Sequence, residues 1–223
     1  MKHHLALPFN TVFFAFFLLF FVCSTGACQA VDYKEMSKTE LQNKIATLGL
    51  GLDLYIVGKK LTAAQLETAK QDNAYKAYPG TVKFKDGDIF VIADNESNVV
   101  IAVYKRNKKA GQNDFKIMIS ELMLEYGEPT AEAHGKTIYW NYGEDGLITE
   151  ELYRTVKSQG QLDKLTILAT VKFSSSESVQ TMTDMIEKMD KKKNGEEVKK
   201  NAVTSDNYVM IQSDLLTQKY LKK

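Results

Sequence analysis

Val12 to Val22 are eleven uninterrupted apolar residues, and this run decides which part of the chain is left to fold in water. Lys2 and two histidines precede it, and Ser24, Thr25, Gly26 and Ala27 follow. Basic, then apolar, then small is the layout of a secretory leader. A spanning helix needs about 20 apolar residues; this core is shorter, and Asn10 and Thr11 interrupt it upstream. The expectation is export, with the leader removed. Two cleavage points fit. Cutting after Ala30 places small residues, Cys28 and Ala30, at the minus-three and minus-one positions and releases a soluble protein to the periplasm or the exterior. Cutting before Cys28 follows a Thr-Gly-Ala-Cys stretch that resembles a bacterial lipobox with Thr25 in place of its usual Leu. Cys28 would then carry acyl chains and hold the protein on a membrane surface in the cell envelope.

Beyond Ala30 there is no cysteine, so no disulfide holds the body together. A domain of roughly 190 residues buries about 70% of its surface and needs none. Lys2 is the one Lys or Arg among the first thirty residues, which leaves 28 basic residues against 28 acidic ones. Balanced, interspersed charge with no basic stripe argues against capture of nucleic acid, and membrane contact is expected only through an anchor at Cys28.

Helix starts are written plainly. Ser37-Lys-Thr-Glu40 and Thr62-Ala-Ala-Gln65 have capping-box spacing, with Leu41, Ile45 and Leu48 following the first at helical intervals. The second helix is expected to reach about Ala77, where Pro79-Gly80 stops it. Strands follow at 81–85, 89–93 and 98–105, separated by Asp86-Gly-Asp88 and Asp94-Asn-Glu-Ser97. "IFVIA" and "VVIAVY" are continuous apolar runs, which predicts strands covered on both faces. Residues 106–113 read as a polar loop. A buried helix is expected over 115–126, lined by Phe115, Met118, Ile119, Leu122, Met123 and Tyr126, with Ile117 and Leu124 extending the apolar side. Strands resume at 136–142 and 164–173; between them, 147–157 fits helical spacing, while its hairpin setting favours a strand. Ser174-Ser-Ser-Glu177 then caps a helix with the seam Val179, Met182, Ile186, Met189, and a short strand and a terminal helix close the chain. The predicted class is α+β: an antiparallel sheet with helices packed on it, plus a C-terminal helical appendage. Residues 1–30 are the leader, 31–173 the α+β domain and 174–223 the appendage.

The stretch "YGEPTAEAHGKTIYW", 126–140, gathers the single Trp, one of three Pro and the one His beyond the first four residues. Gly127 and Pro129 read as a helix stop, with Gly127 in a left-handed cap. In "KTIYWNY", alternation sets Ile138, Trp140 and Tyr142 on one face and Thr137, Tyr139 and Asn141 on the other. Trp140 is therefore expected in the core, and His134 in an exposed loop. Helix "LMLEYGEPT", strand "TIYWNY" and later strand "LTILATVKFSSS" together resemble the SmpA/OmlA family, small outer-membrane lipoproteins that assist the β-barrel assembly machinery. The resemblance spans 115–173 and implies an envelope protein that binds other proteins.

Catalytic sets are missing from the pattern. One His beyond the leader supplies neither a nucleophile triad nor a zinc site. "DNESN" lacks the Gly and the closing Glu of a calcium loop, and there is no phosphate-binding glycine loop. No cofactor is expected. Glu144, Asp145, Glu150 and Glu151 form the densest acidic group, the one place for a carboxylate-pair hydrolase, although acidic residues at a turn are ordinarily a solvated edge. The function expected from these residues is a non-enzymatic exported protein that binds a protein or peptide. Its candidate contacts are Met182 and Met189 in the seam, Met185 on the same helix and Tyr139 on the sheet, methionine being suited to adaptable surfaces. A carrier of a small apolar ligand, held between helix 115–126 and the sheet, is the alternative from another class.

Overall fold

Phe84, Val91, Val103, Ile211, Val171 and Trp140 come from six different strands, stand opposite one another in register, and are all fully buried. That cross-strand row is the centre of the molecule. It belongs to an antiparallel sheet ordered β3-β4-β5-β10-β9-β7-β6, with β8 pairing off β7. The strands are β3 Thr81–Asp86, β4 Ile89–Asp94, β5 Val100–Ala110, β6 Ala131–Ala133, β7 Thr137–Gly143, β8 Gly146–Leu147, β9 Ala169–Ser175 and β10 Ser205–Gln212. A separate hairpin joins β1 Gly51–Leu52 to β2 Tyr55–Ile56. The helices are α1 Lys38–Thr47, α2 Ala63–Gln71, α3 Gln112–Tyr126, α4 Glu150–Ser158 and α5 Asp214–Leu221. The class is α+β, as the sequence predicts. This computed structural model describes residues 33, 35–72, 75, 78–176 and 205–221. The expected leader, with Cys28 and Ala30, and the expected helix with Met182, Met185 and Met189 lie outside the described residues.

Helices α1, α3 and α5 deliver Leu41 and Ile45, Phe115, Leu122 and Tyr126, and Leu216 and Tyr220 to the same apolar cluster as the buried row. The caps act as their sequences indicate. Ser37 Oγ accepts from the Glu40 amide, and Thr62 and Gln65 exchange both bonds of a capping box. Phe115 meets Phe173 edge-on at 5.6 Å, so aromatic side chains fill the seam between α3 and the sheet.

Five expectations need correction. Helix α2 stops at Gln71 instead of reaching Ala77, and the chain beyond it brings Tyr75 edge-on to Phe90 at 5.2 Å. Residues 106–110 are strand rather than loop, because β10 pairs along them from Arg106 to Ala110. Residues 150–158 are helix: the Thr149 hydroxyl accepts from the Leu152 amide, with Glu150 and Glu151 in the first turn and Lys157 in the last. Strand β9 begins at Ala169, since Leu162–Lys164 form a 3-10 turn. The described part of the expected appendage is integral to the sheet. Its terminal helix α5 is present, but β10 lies between β5 and β9, where the alternating burial of Ser205–Gln212 matches the pleat of both neighbours.

Candidate interaction face

Shift one residue along each strand of the buried row and a second row appears on the opposite face. Lys85, Phe90, Tyr104, Met210, Lys172, Tyr139 and Ala131 are successive cross-strand partners from β3 to β6. Each is partly exposed, and none belongs to the core cluster. Flanking rows add Lys83 and Ile92 on one side, and Arg106, Tyr208, Ser174 and Thr137 on the other. The expectation of strands covered on both faces holds along Val99–Val103, which are all buried, and fails in β4, where Phe90 and Ile92 are partly exposed. Phe90 and Ile92 turn away from the core, and their area is partly shielded by neighbours on the same face.

Aromatic rings and cations interlock across this surface. Phe90 and Tyr104 stack with centroids 4.7 Å apart and planes 7° apart. Lys83 Nζ lies 5.6 Å from the Phe90 centroid and 5.4 Å from that of Tyr104, and Lys85 Nζ lies 5.8 Å from Phe90. Arg106 lies over Tyr208 at 5.2 Å and pairs with Asp206. Lys172 lies 5.9 Å from the Tyr139 ring. Such contacts contribute about 0.5–1 kcal/mol at exposed sites, and they hold the ammonium groups at fixed places above the sheet. Of the basic run Lys105-Arg-Asn-Lys-Lys109 in the sequence, Arg106 belongs to these rows. The basic surface is assembled across strands from lysines and an arginine at every second position.

Tyr139, singled out as a candidate contact, is in this row; the candidate methionines are outside the described residues. His134 sits exposed in a two-residue turn with Gly135, at φ 55° and 60°. That turn joins β6 to β7. Trp140 is fully buried and donates its indole N–H to the Gly127 carbonyl at 2.8 Å, pinning the end of α3 to β7. Thr130, also fully buried, donates to the Ile148 carbonyl at 2.6 Å and accepts from the Asn141 amide at 2.9 Å. The 126–140 stretch is a clasp.

Two of the four acidic residues, Glu144 and Glu150, are similarly engaged. Glu144 accepts from the Tyr33 hydroxyl at 2.6 Å and pairs with Lys44. The Lys44 bond, reinforced by Tyr33, holds the Glu144 carboxyl below its ordinary range. Burial, together with Glu144, pushes the Tyr33 phenol up to about 12. Glu150 pairs with Arg154 one helical turn on. Among the described residues no group of three or more His, Cys, Asp or Glu could hold a metal ion, and no helix is long and apolar enough to cross a membrane.

Two helical surfaces remain apolar and uncovered. Leu124 is 88% exposed and Ile117 57%, seven residues apart on α3, and Leu152 on α4 is 47% exposed. The sequence assigns Ile117 and Leu124 to the buried side of α3. They instead face outward, because Phe115, Leu122 and Tyr126 take the core-facing positions. Comparison of the chain with protein families, curated proteins and solved structures finds no match.

Proposed function

We propose that this is a non-enzymatic exported protein that binds a protein or peptide partner on the open face of its sheet. The observation carrying the proposal is the ladder Lys85, Phe90, Tyr104, Met210, Lys172, Tyr139, which lies back to back with the buried row and outside the core cluster. Tyrosine, phenylalanine, methionine and arginine are the side chains enriched at protein interfaces. Here they share one surface built on rigid strands. The leader pattern supports a site of action outside the cytoplasm, either released after Ala30 or anchored through Cys28. The likeness to the SmpA/OmlA lipoproteins points to the same kind of work, contact with other envelope proteins.

Photo-crosslinking tests the binding surface. A photoreactive amino acid replaces Tyr139 in one variant and Leu54, exposed on the β1–β2 turn, in another. Discrete adducts in native cells from position 139 alone are the expected result. No adduct at 139, or the same adducts from 54, overturns the proposal. Intact mass of the mature protein decides the anchoring question: a chain beginning at Val31 means release, and a diacylglyceryl-modified Cys28 means attachment.

A further inference from the structure

Resting on that reading, we infer that the partner presents an extended acidic segment, and that the open face recognises its carboxylates. Ring orientation comes first. Phe90 and Tyr104 stack on each other, Tyr75 meets Phe90 with planes at 84°, and Lys83 sits beside both stacked rings. Arg106 covers a face of Tyr208, and Lys172 lies near a face of Tyr139. Side chains stand roughly perpendicular to a sheet, so the stacked pair gives its ring faces to its neighbours and its edges to the outside. A base or a sugar ring needs a free aromatic face to stack on, and here the stacked Phe90–Tyr104 pair and the cations beside Tyr208 and Tyr139 each occupy one. An aromatic edge carries the positive end of the ring quadrupole, so edges and ammonium groups on this surface favour the same sign of ligand.

Charge points the same way. Lys83, Lys85, Lys172 and Arg106 share this face, and Asp206 is bound to Arg106. The three lysines have aromatic neighbours and no carboxylate within ion-pair distance among the described residues. A chain of nearly balanced charge thus gathers lysines on the sheet face that the described helices leave open, the charge of Lys85 being felt also by Asp88 at its edge.

Geometry sets the length of the ligand. Strands about 4.8 Å apart make the seven-residue ladder roughly 29 Å long, which an extended peptide rising about 3.3 Å per residue spans with roughly nine residues. The probe is a fluorescent peptide of about that length alternating Glu or Asp with Tyr or Leu, titrated into the full mature chain by anisotropy. Control peptides replace every acid with Gln or with Lys, and a single-stranded oligonucleotide of similar extent is titrated in parallel.

Saturable binding of the acidic peptide is expected, weakening as salt rises. The double variant Lys85→Glu, Lys172→Glu should lose at least about tenfold in affinity, with circular dichroism unchanged and melting lowered only slightly, by the two lost cation–aromatic contacts. Equal binding of the Gln peptide, still lost when Tyr139 is replaced by Ala, overturns the acidic specificity and leaves the peptide-binding reading standing. Preference for the oligonucleotide, abolished by the same double variant, overturns both. An absence of binding by all probes at high protein concentration also refutes the inference; the crosslinking experiment then judges the broader reading separately.

Discussion

Gly127 shows how a single backbone position can organise its surroundings. Its φ of 81° with ψ of −162° is not the left-handed cap that a Gly after a helix predicts; it belongs to a region that side-chain-bearing residues avoid. That turn carries its carbonyl to the Trp140 indole while its own N–H still closes α3 on the Met123 carbonyl at 2.9 Å. Gly127→Ala should therefore cost about 1–3 kcal/mol, and Trp140→Ala about 3–5 kcal/mol. Urea denaturation of both variants measures this, and a loss below half a kilocalorie in either would contradict the clasp. Alternation in "KTIYWNY" was enough to place Trp140 in the core. The particular conformation of Gly127 was not legible, because a helix stop is compatible with several glycine conformations.

Tyr33 yields a second prediction at this scale. Its phenol is pushed from about 10 to about 12 by burial and by Glu144. A raised folded value means the neutral form is favoured in the fold. The contribution is fully present below about pH 10 and is lost as pH rises through about 12. Tyr33→Phe should flatten the fall in the urea midpoint between those values, and an unchanged alkaline slope would separate Tyr33 from alkaline unfolding.

Among the elements, the helices show where periodicity succeeds and where it over-reads. Both capped starts at Ser37 and Thr62 were legible, since a cap is a local arrangement of a side chain and nearby amides. On α3 too many apolar residues compete for one buried stripe, and spacing alone does not rank them; Phe115, Leu122 and Tyr126 occupy it, leaving Ile117 and Leu124 in water. Leu124→Gln should accordingly change stability by no more than about 0.5 kcal/mol, measured by thermal melting, whereas a clear loss would mean that something covers this residue. The candidate face was the least legible feature. Lys85 and Lys172, separated by 87 positions in the sequence, share a row only because β4, β5 and β10 lie between them, and no linear scan detects charges collected at every second position of distant strands.

Over the whole molecule, sheet order matters more than strand content. The sequence foretold a strand near Tyr208 but assigned it to an appendage, since nothing local reveals which neighbours a strand will choose. Its neighbours are β5 and β9, from Val100–Ala110 and Ala169–Ser175. Removing residues 205–223 should consequently destroy the cooperative unfolding transition, not merely trim a tail, and a truncated protein with a sharp melt and native near-ultraviolet dichroism would refute this. Pairings this distant in sequence also predict refolding in roughly milliseconds to seconds, without a microsecond phase that completes the fold; stopped-flow fluorescence of Trp140 reads it directly.

The placement of β10 has a consequence in time. Chains are made from the N-terminus, so the strand at the middle of this sheet is the last to be synthesised. Until it arrives, β5 and β9 each keep an open edge, and unpaired edges are where chains pair wrongly with one another. An incomplete copy is therefore defective at its centre rather than at its margin, while a finished one joins the two halves of its sheet in a single late step.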